Sequence, residues 1–519
     1  MIFYKKKLGN KQQDFFCLFT LSIIIIIAFI FRISSIRFGY PLIIHADEHF
    51  LVDTALRIIK TGDLNPHFFN YPSLVIYIQT LLYKCMCIFY QLAYDINIDD
   101  IPKINFHIAG RALASFASIL SIILLFKIGK RIKSTEAGIV AAGIIAVMPI
   151  HIENSIFVTT DIWVAIFTTF VLYYAIKIYE SGRTNDYIIA GIFVGLSMGS
   201  KYTAAVSFIS IFVAHSLLCH KNNTQILSRK ILLSSFLAGI VFIASTPYSV
   251  MDIRHFLGGI LSESRHYRNG HIGHEAIGNY SFKLYFDTII SNDCLGYIAS
   301  FMTLTSPLFL FKNKNIYILI ILAFPIVFFL MLGSHKVFFT RNIIAIMPSL
   351  ALLSGLTLHY IIKNIGFVNK NRNYSRITLL IAILLLTINL FKKSYSDLII
   401  RGLPDTRWVA IEWIKNNIPP GSKIVREQYT PPVEDYIKPY NVTLLGMYGL
   451  NNKESKIDAS TSYIILSSYE YGRFFDGKEK YKAEAKVYSD FFMNHKLVYE
   501  ISPDNVNYTG PTIKVFLNH

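Results

Sequence analysis

The sequence predicts a polytopic α-helical membrane protein that ends in a small α/β domain. Its 519 residues are 53% hydrophobic and only 16% charged, whereas about a quarter of the residues in a soluble domain are charged. The formal net charge of +17 arises entirely before residue 394, because residues 394–519 contain fifteen Lys and Arg and fifteen Asp and Glu. Basic residues between apolar runs are typical of cytoplasmic loops. This distribution argues against a soluble protein and against a nucleic-acid partner.

Eleven apolar runs predict eleven transmembrane helices. The first, 15–31, follows a basic N-terminus, is longer than a signal-peptide core and is not followed by a small-residue cleavage site. The others lie near residues 106–126, 137–150, 162–179, 187–199, 203–219, 231–249, 286–311, 316–332, 343–362 and 377–391. With eleven crossings, the basic clusters between the runs all fall on the cytoplasmic side.

A twelfth apolar run, 71–94, does not fit this count as a full crossing. Counting it would move the cluster around Lys127, Lys130 and Arg131 outside the cytoplasm. We therefore expect a juxtamembrane helix or shallow hairpin against the outer face. The N-terminus is then cytoplasmic, and the segments 32–105, 151–161, 251–285 and 333–342 and the C-terminal tail are extracytoplasmic.

The chain divides by composition into a membrane domain, 1–393, and a tail domain, 394–519. In the tail, 406–417 has the apolar periodicity of a helix that ends at a Pro-Pro-Gly sequence. Short β-branched runs predict strands at 423–426, 442–445, 462–467, 497–501 and 512–517. The tail therefore reads as one α/β domain.

Two adjacent carboxylates, Asp47 and Glu48, follow the first span and are flanked by His45 and His49. The low dielectric near a membrane and their mutual repulsion raise the pKa of such acids. This pair therefore suits general-base catalysis or cation binding. The alternative is the ordinary preference for acids at a helix N-terminus.

A third carboxylate, Asp161, opens a later apolar run on the same predicted side of the membrane. Alone, it is better explained as a helix cap. Its placement on the face that carries Asp47 makes it a candidate site residue.

Four cations are predicted on this face: Lys201 between two apolar runs, Arg111 near the start of a span, and Lys336 and Arg341 in one short loop. Interfacial cations are functional candidates, and snorkelling is the alternative. Several cations beside two or three carboxylates suggest that an anionic ligand is held next to a base.

Histidines raise the question of a divalent metal, for which the candidate ligands are His45, His49, His266 and His271. Their spacing matches no named metal-binding pattern. For the histidine-rich third outer loop we prefer a mobile loop that covers a phosphate-handling site. The metal question stays open at the sequence level.

Short motifs occur in one order across nearly the whole chain. They are Asp47-Glu48, Gly62-Asp63-Leu64-Asn65-Pro66, Asn70-Tyr71-Pro72, Arg111-Ala112-Leu113, Thr160-Asp161, Ser200-Lys201-Tyr202-Thr203, Thr340-Arg341-Asn342, Asp405-Thr406-Arg407 and Ile418-Pro419-Pro420-Gly421. In this order the chain resembles the GT-C integral-membrane glycosyltransferases of the protein O-mannosyltransferase and ArnT-like group.

The resemblance implies an inverting enzyme that transfers a sugar from a polyprenyl-phosphate donor to an extracytoplasmic lipid A, glycan or protein. Asp47 would be the general base, Glu48 would orient acceptor or base, and Asp161 would be the second acid. The cations that would hold the lipid phosphate are Lys201, Arg111, Arg341 and Lys336. Many relatives carry a basic residue where this chain has Asn70-Tyr71-Pro72, which leaves more of that task to Lys201 and Arg341.

Two other classes remain as alternatives: a transporter or flippase, and a polysaccharide ligase or polymerase that uses a pyrophosphate donor. Transporters usually carry ionisable residues near mid-membrane and have related halves. Here the ionisable candidates gather at one face and the two halves show no similarity. We expect a multi-pass protein of a bacterial inner membrane.

Overall fold

The computed structural model describes residues 2–132, 134–274, 278, 280–312, 315–364, 372–437, 439–452, 457, 460–477 and 479–518. Its chain forms two compact units. The first comprises Met1–Ile36, His45–Gly270 and Ala276–Ser396, and the second comprises Arg37–Ile44, His271–Glu275 and Asp397–His519. The C-terminal segment of the second unit begins three residues after the boundary predicted from composition, and the unit also includes two short segments from earlier in the chain.

The first unit is helical. Its α-helices are α1 Ile2–Ile33, α2 Glu48–Thr61, α3 Leu74–Tyr94, α4 Lys103–Arg131, α5 Thr135–Val147, α6 Pro149–Ser155, α7 Asp161–Ser181, α8 Thr184–Ser200, α9 Phe208–Asn222, α10 Arg229–Ser245, α11 Tyr248–Met251, α12 Ile253–Asn269, α13 Phe282–Ile290, α14 Gly296–Lys312, α15 Tyr317–Gly333, α16 Met347–Asn364 and α17 Arg372–Arg401. Single 3₁₀ turns lie at Ile98–Asp100, Tyr202–Ser207 and Thr340–Ile346.

Within the described ranges, seven helical stretches are long and apolar enough to cross a membrane, or eight if the bent pair α5 and α6 is one span. The eleven predicted crossings are therefore not confirmed as a count, although a helix lies at each predicted run. The shortfall has a simple cause, because α8, α10, α14 and α15 contain only 17 residues each. Leu74–Tyr94, expected to lie against the outer face, is among the seven.

Helix α5 is the core of the helical unit, since every residue from Ala137 to Val147 is buried. Neighbouring helices approach it closely through small residues, as is common in membrane bundles. A Cβ on Gly355 of α16 would lie 2.3 Å from the Ala137 carbonyl oxygen. The helix ends at Val147, and the chain bends by 62° into α6, which begins at Pro149.

A buried arginine satisfies the carbonyl groups that this bend exposes. The guanidinium of Arg32 donates to the carbonyl oxygens of Ala146, at 3.0 Å, and Ile145, at 3.4 Å. It also donates to Ser118 Oγ at 2.8 Å and lies 2.9 Å from His151 Nδ1. The last carbonyls of a helix need partners from outside the helix, so Arg32 acts as a cap contributed by α1.

The second unit contains a five-stranded sheet: β1 Lys423–Arg426, β2 Asn441–Leu444, β3 Tyr463–Ser467, β4 Lys496–Ile501 and β5 Ile513–Leu517. The strand order is β2-β1-β3-β5-β4. β1 is parallel to β2 and β3, whereas β5 is antiparallel to β3 and β4. Its helices are α18 Thr406–Asn417, α19 Val433–Tyr436, α20 Ser468–Asp476 and α21 Lys482–Asn494, with a 3₁₀ turn at Gly449–Asn451.

Alternating strand residues supply both faces of this sheet, as the two-residue period of a strand requires. Ile424 and Ile465 pack with Ile414 of α18 on one face. Val425 packs with Phe474 of α20 and with α21 on the other face. The predicted α/β tail is thus confirmed, and its five strands lie within one residue of the predicted positions. The sequence analysis did not predict α19, α20 or α21.

Candidate active site

Four of the predicted site residues meet at the ends of helices in the first unit. Asp47 directly precedes α2, Asp161 opens α7, Lys201 follows α8, and Arg341 lies in the 3₁₀ turn Thr340–Ile346. Helix ends leave backbone groups unpaired and support polar side chains. The apolar helices therefore present their few charged residues at one place.

Lys201 and Asp161 form the inner part of the site. Lys201 Nζ donates to Asp161 Oδ1 at 2.7 Å and to Asn342 Oδ1 at 2.7 Å. The Asp161 side chain is 6% exposed and that of Lys201 is 14% exposed. Burial alone lowers the pKa of Lys201, but the charge and hydrogen bond of Asp161 together with the nearby Tyr267 outweigh burial, and the pKa is raised. Lys201 is therefore a firmly protonated ammonium group.

Arg341 joins this inner pair to Asp47. Its Nη1 lies 2.8 Å from Asp47 Oδ2, and its Nε lies 3.8 Å from Asp161 Oδ2. The guanidinium carbon also lies 4.8 Å from the centroid of the Phe339 ring. Of the two carboxylates, Asp47 is the more accessible, with a side chain that is 21% exposed. The result is two carboxylates and two cations at the ends of apolar helices.

Three tyrosines complete this cluster, and none of them was assigned a role from the sequence. The Tyr71 hydroxyl lies 3.5 Å from Asp47 Oδ2. Asn342 Nδ2 donates to the hydroxyl oxygens of Tyr267 and Tyr285, each at 3.2 Å. Asn342 and Tyr71 belong to the motifs that carry the family resemblance. Tyr267 and Tyr285 stood in no motif, and only the fold brings them here.

Glu48 and Arg111 pair with each other, and both are fully buried. Arg111 Nε and Nη2 donate to the two Glu48 oxygens at 2.8 and 2.5 Å. Arg111 Nη1 donates to the Ile36 carbonyl at 3.1 Å, and the Val158 backbone N–H donates to Glu48 at 2.9 Å. Burial opposes the charge of Glu48, but the hydrogen bonds and charges of Arg111 and His107 together outweigh burial and hold the pKa of Glu48 well below its ordinary value.

The ion pair between Glu48 and Arg111 joins several segments of the helical unit. It ties α2 to α4 and to the loop before α7, and so fixes the segments that carry Asp47 and Asp161. The structure does not place Arg111 in the open part of the cluster. Lys336 is half-buried, and its Nζ donates to the Asn269 carbonyl at 3.3 Å.

The four candidate histidines lie in different surroundings. The His45 ring packs on Phe157 at 4.2 Å, and His49 lies against the next residue in the chain. His266 Nδ1 is 3.9 Å from Glu263, while His271 lies beside His274 in the second unit. In the described part of the chain, no three His, Cys, Asp or Glu side chains are grouped to hold a metal ion.

Comparison with known proteins places this site in a family context. The family model described as dolichyl-phosphate-mannose-protein mannosyltransferase matches residues 101–248. That range includes Arg111, Asp161 and Lys201. A search of curated protein sequences finds no significant match.

Solved structures give matches over nearly the full chain. The oligosaccharyltransferase of Archaeoglobus fulgidus is 12% identical, with a TM-score of 0.58 over 94% of this chain and 73% of its own. ArnT from Cupriavidus metallidurans bound to undecaprenyl phosphate is 10% identical, with a TM-score of 0.57 over 96% of this chain and 97% of its own.

These matches confirm the resemblance to GT-C glycosyltransferases of the ArnT and protein-mannosyltransferase type. The fold is that of a multi-pass membrane protein of this class.

Proposed function

We propose that the protein is an inverting hexosyl- or pentosyltransferase. It moves a sugar from a polyprenyl-phosphate donor to a hydroxyl of an extracytoplasmic lipid A, glycan or protein. The observation that carries the proposal is the cluster in which Arg341 contacts both Asp47 and Asp161 while Lys201 is held by Asp161. A similar fold is known with undecaprenyl phosphate bound, in ArnT.

Asp47 is the general base in this proposal. It is the more exposed of the two carboxylates, so an acceptor hydroxyl from water can reach it. As the acceptor oxygen bonds to the anomeric carbon, its proton passes to Asp47. Asp161 instead holds Lys201 and Arg341 in position.

Lys201 and Arg341 bind the donor phosphate. A sugar-linked phosphodiester carries one negative charge, and breaking the bond between the anomeric carbon and the phosphate oxygen leaves a phosphate monoester with a second charge. Cations fixed in advance stabilise charge that develops in the transition state. Because Asp161 and Asn342 already hold Lys201, this site needs little rearrangement. Arg111 and Glu48 position the loops, and Lys336 contributes less to phosphate binding than Lys201.

We further propose that the protein lies in a bacterial inner membrane with its N-terminus in the cytoplasm and this cluster outside it. The basic clusters between the apolar runs support that orientation. The polyprenyl donor is reached from the bilayer and the polar acceptor from water. A site at the membrane surface serves both.

The test is transfer or hydrolysis by the purified protein in nanodiscs, using a panel of radiolabelled polyprenyl-phosphate sugars. Asp47→Asn should abolish turnover while leaving insertion intact. Asp99→Asn is the matched control, because this carboxylate is 74% exposed on the same outer loop and pairs with Lys60. Near wild-type turnover by Asp47→Asn would refute the assignment of the base.

Donor binding is tested separately. Lys201→Ala should raise the donor KM by about tenfold or more, since a hydrogen bond to a charged group contributes ~1.5–3 kcal/mol. Lys336→Ala should change it much less. Folded wild-type protein that is inactive with every monophosphate donor would favour the pyrophosphate-donor or transporter alternatives.

A further inference from the structure

Three aromatic rings of the first unit form a row that ends at Asp47. The rings of Phe50 and Phe68 are nearly parallel, with centroids 5.4 Å apart and an angle of 8° between their planes. The Phe68 ring makes a T-shaped contact with the Tyr71 ring at 5.8 Å. The Tyr71 hydroxyl in turn lies 3.5 Å from Asp47 Oδ2. We call Phe50, Phe68 and Tyr71 the aromatic row.

The aromatic row extends from the core of the helical unit to its surface. Phe68 and Tyr71 are partly buried and pack against an apolar cluster that includes Leu51, whereas Phe50 is 44% exposed. Burial, together with the charge of Asp47, raises the pKa of Tyr71 well above its ordinary value, so the hydroxyl keeps its proton. The row therefore has an accessible ring at one end and a hydrogen-bond donor beside a carboxylate at the other.

Phe50 lies on a polar face of α2. It shares this face with Thr54, Arg57 and Thr61, which follow it by four, seven and eleven residues. The apolar side of the helix is the buried one and comprises Leu51, Val52, Ala55 and Ile58. A helix that lies in lipid presents a continuous apolar face to it. The exposed face of α2 is not of that kind, so Phe50 is a single aromatic ring among groups that water solvates.

Charged side chains border the aromatic row at the end away from Asp47. Arg57 Nη1 lies 3.3 Å and His67 Nε2 lies 2.7 Å from Asp63 Oδ2. Asp63 and His67 are exposed and Arg57 is half-buried, so a ligand in water can reach all three. Asp47 and Arg57 are ten residues apart along α2, which corresponds to about 15 Å. This distance exceeds the length of one sugar ring.

This combination of groups suits a saccharide. The face of an aromatic ring is electrically negative, and the C–H groups on the face of a sugar ring carry partial positive charge. The sugar hydroxyls both donate and accept hydrogen bonds, which guanidinium, carboxylate and imidazole groups can satisfy. Aromatic side chains with a few placed polar groups are typical of sites for small polar ligands. A prenyl chain has no use for the charged groups.

We propose that the aromatic row binds the acceptor and that the acceptor is a saccharide chain. The accepting sugar lies against Phe50 and Phe68 with one hydroxyl on Asp47, and a neighbouring sugar reaches Arg57 and Asp63. On transfer the hydroxyl oxygen bonds to the anomeric carbon of the donor, its proton passes to Asp47 and the lipid phosphate leaves. This inference rests on the proposed function in one respect, the role of Asp47 as the base, and it narrows the acceptor to a glycan.

The first test is binding without a donor. The full-length protein in nanodiscs is applied to a printed array of bacterial surface oligosaccharides, and a threonine-rich peptide and lipid A serve as comparison probes. We expect the wild type to bind an oligosaccharide more tightly than either comparison probe. Binding to no oligosaccharide, or tighter binding to the peptide or to lipid A, would overturn the proposal.

Substitutions of Phe50 separate an aromatic contact from an apolar one. Phe50→Leu keeps an apolar side chain without the ring and should weaken binding of the best array oligosaccharide about tenfold, as expected for one lost aromatic contact. Phe50→Tyr keeps the ring and should bind like the wild type. Tyr94→Ala is the matched control, because Tyr94 is 62% exposed at the end of α3 and is not part of the aromatic row. Isothermal titration calorimetry measures all four proteins.

Equal affinity in the wild type and Phe50→Leu would overturn the role of the ring. In the transfer assay Phe50→Leu should raise the KM of the acceptor and not that of the donor. The opposite result would assign the aromatic row to the prenyl chain of the donor and would also overturn the proposal. A folded wild type that is inactive with every polyprenyl-phosphate sugar would defeat the proposed function, and the calorimetry would still decide whether the aromatic row binds a saccharide.

Discussion

A carboxyl group buried at the end of β1 links the stability of the α/β domain to pH. Glu427 is fully buried and accepts hydrogen bonds from the Tyr488 hydroxyl and from the Ser467 backbone N–H at 3.1 Å. Burial, only partly offset by the bond from Tyr488, raises the pKa of Glu427 to about 8 from an ordinary value of 4.5. Near neutral pH the folded domain therefore keeps a proton that the unfolded chain has released.

This difference in proton binding determines whether the free energy of unfolding rises or falls with pH. Below pH 4.5 both states are protonated, and the group does not oppose folding. As the pH rises from 4.5 to 8, the unfolded state binds fewer protons than the folded state, so the free energy of unfolding falls. Each pH unit costs about 1.4 kcal/mol. The loss is complete above pH 8 and amounts to roughly 5 kcal/mol.

Glu427→Gln should remove this pH dependence. A neutral amide can accept from Ser467 and donate to the Tyr488 oxygen, whose hydroxyl then points to the Tyr448 carbonyl 3.4 Å away. At pH 4.5 the variant and wild type should unfold alike. At pH 8 the variant should be more stable by roughly 4–5 kcal/mol.

The assay is urea unfolding of the nanodisc protein at several pH values, followed by tryptophan fluorescence. Two of the three tryptophans, Trp408 and Trp413, report on the α/β domain. Glu412→Gln, at an exposed position of α18, is the control and should follow wild type. If wild type and Glu427→Gln lost stability in parallel between pH 4.5 and 8, the buried-acid argument would be refuted.

The remaining predictions concern packing in the helical unit. Arg111→Ala leaves the Glu48 carboxylate buried without its main partner and should lower the free energy of unfolding by ~3–5 kcal/mol. Replacing both Glu48 and Arg111 with apolar residues should lower it by less. Thermal unfolding in detergent measures both effects. Gly110→Ala should lower the melting temperature, because the new carbon would lie 2.7 Å from the Tyr83 hydroxyl. Gly239→Ala is the control and should leave the melting temperature unchanged, since the new carbon meets no atom of the described residues within 4 Å. Arg32→Ala removes the cap on α5 and should reduce yield and thermal stability together.

The architecture could be read from the sequence where one physical signal dominates. Short β-branched runs in a tail without net charge predicted all five strands, because strands that are buried on both faces are apolar at successive positions. The count of crossings could not be read in the same way. Helices of 17 residues such as α8 and α10 are shorter than the ~20 residues that a bilayer requires. The hydropathy of the sequence does not show how such short helices pack inside the bundle.

The site shows why charge can be located from a sequence but its pairing cannot. A charged residue in an apolar chain must find a partner, and the sequence correctly marks Asp47, Asp161, Lys201 and Arg341 as residues that meet. It does not reveal that Arg111 is matched by the neighbouring acid of the same Asp-Glu pair, because the two residues are 63 positions apart. The ion pairs of Arg341 and Arg111 differ in exposure, since the Arg341 side chain is 27% exposed and that of Arg111 is fully buried. A buried pair of this kind fixes the chain, and a partly open one keeps the accessibility that an anionic ligand requires. Which charge pairs are fully buried and which stay accessible is therefore determined only by the folded chain.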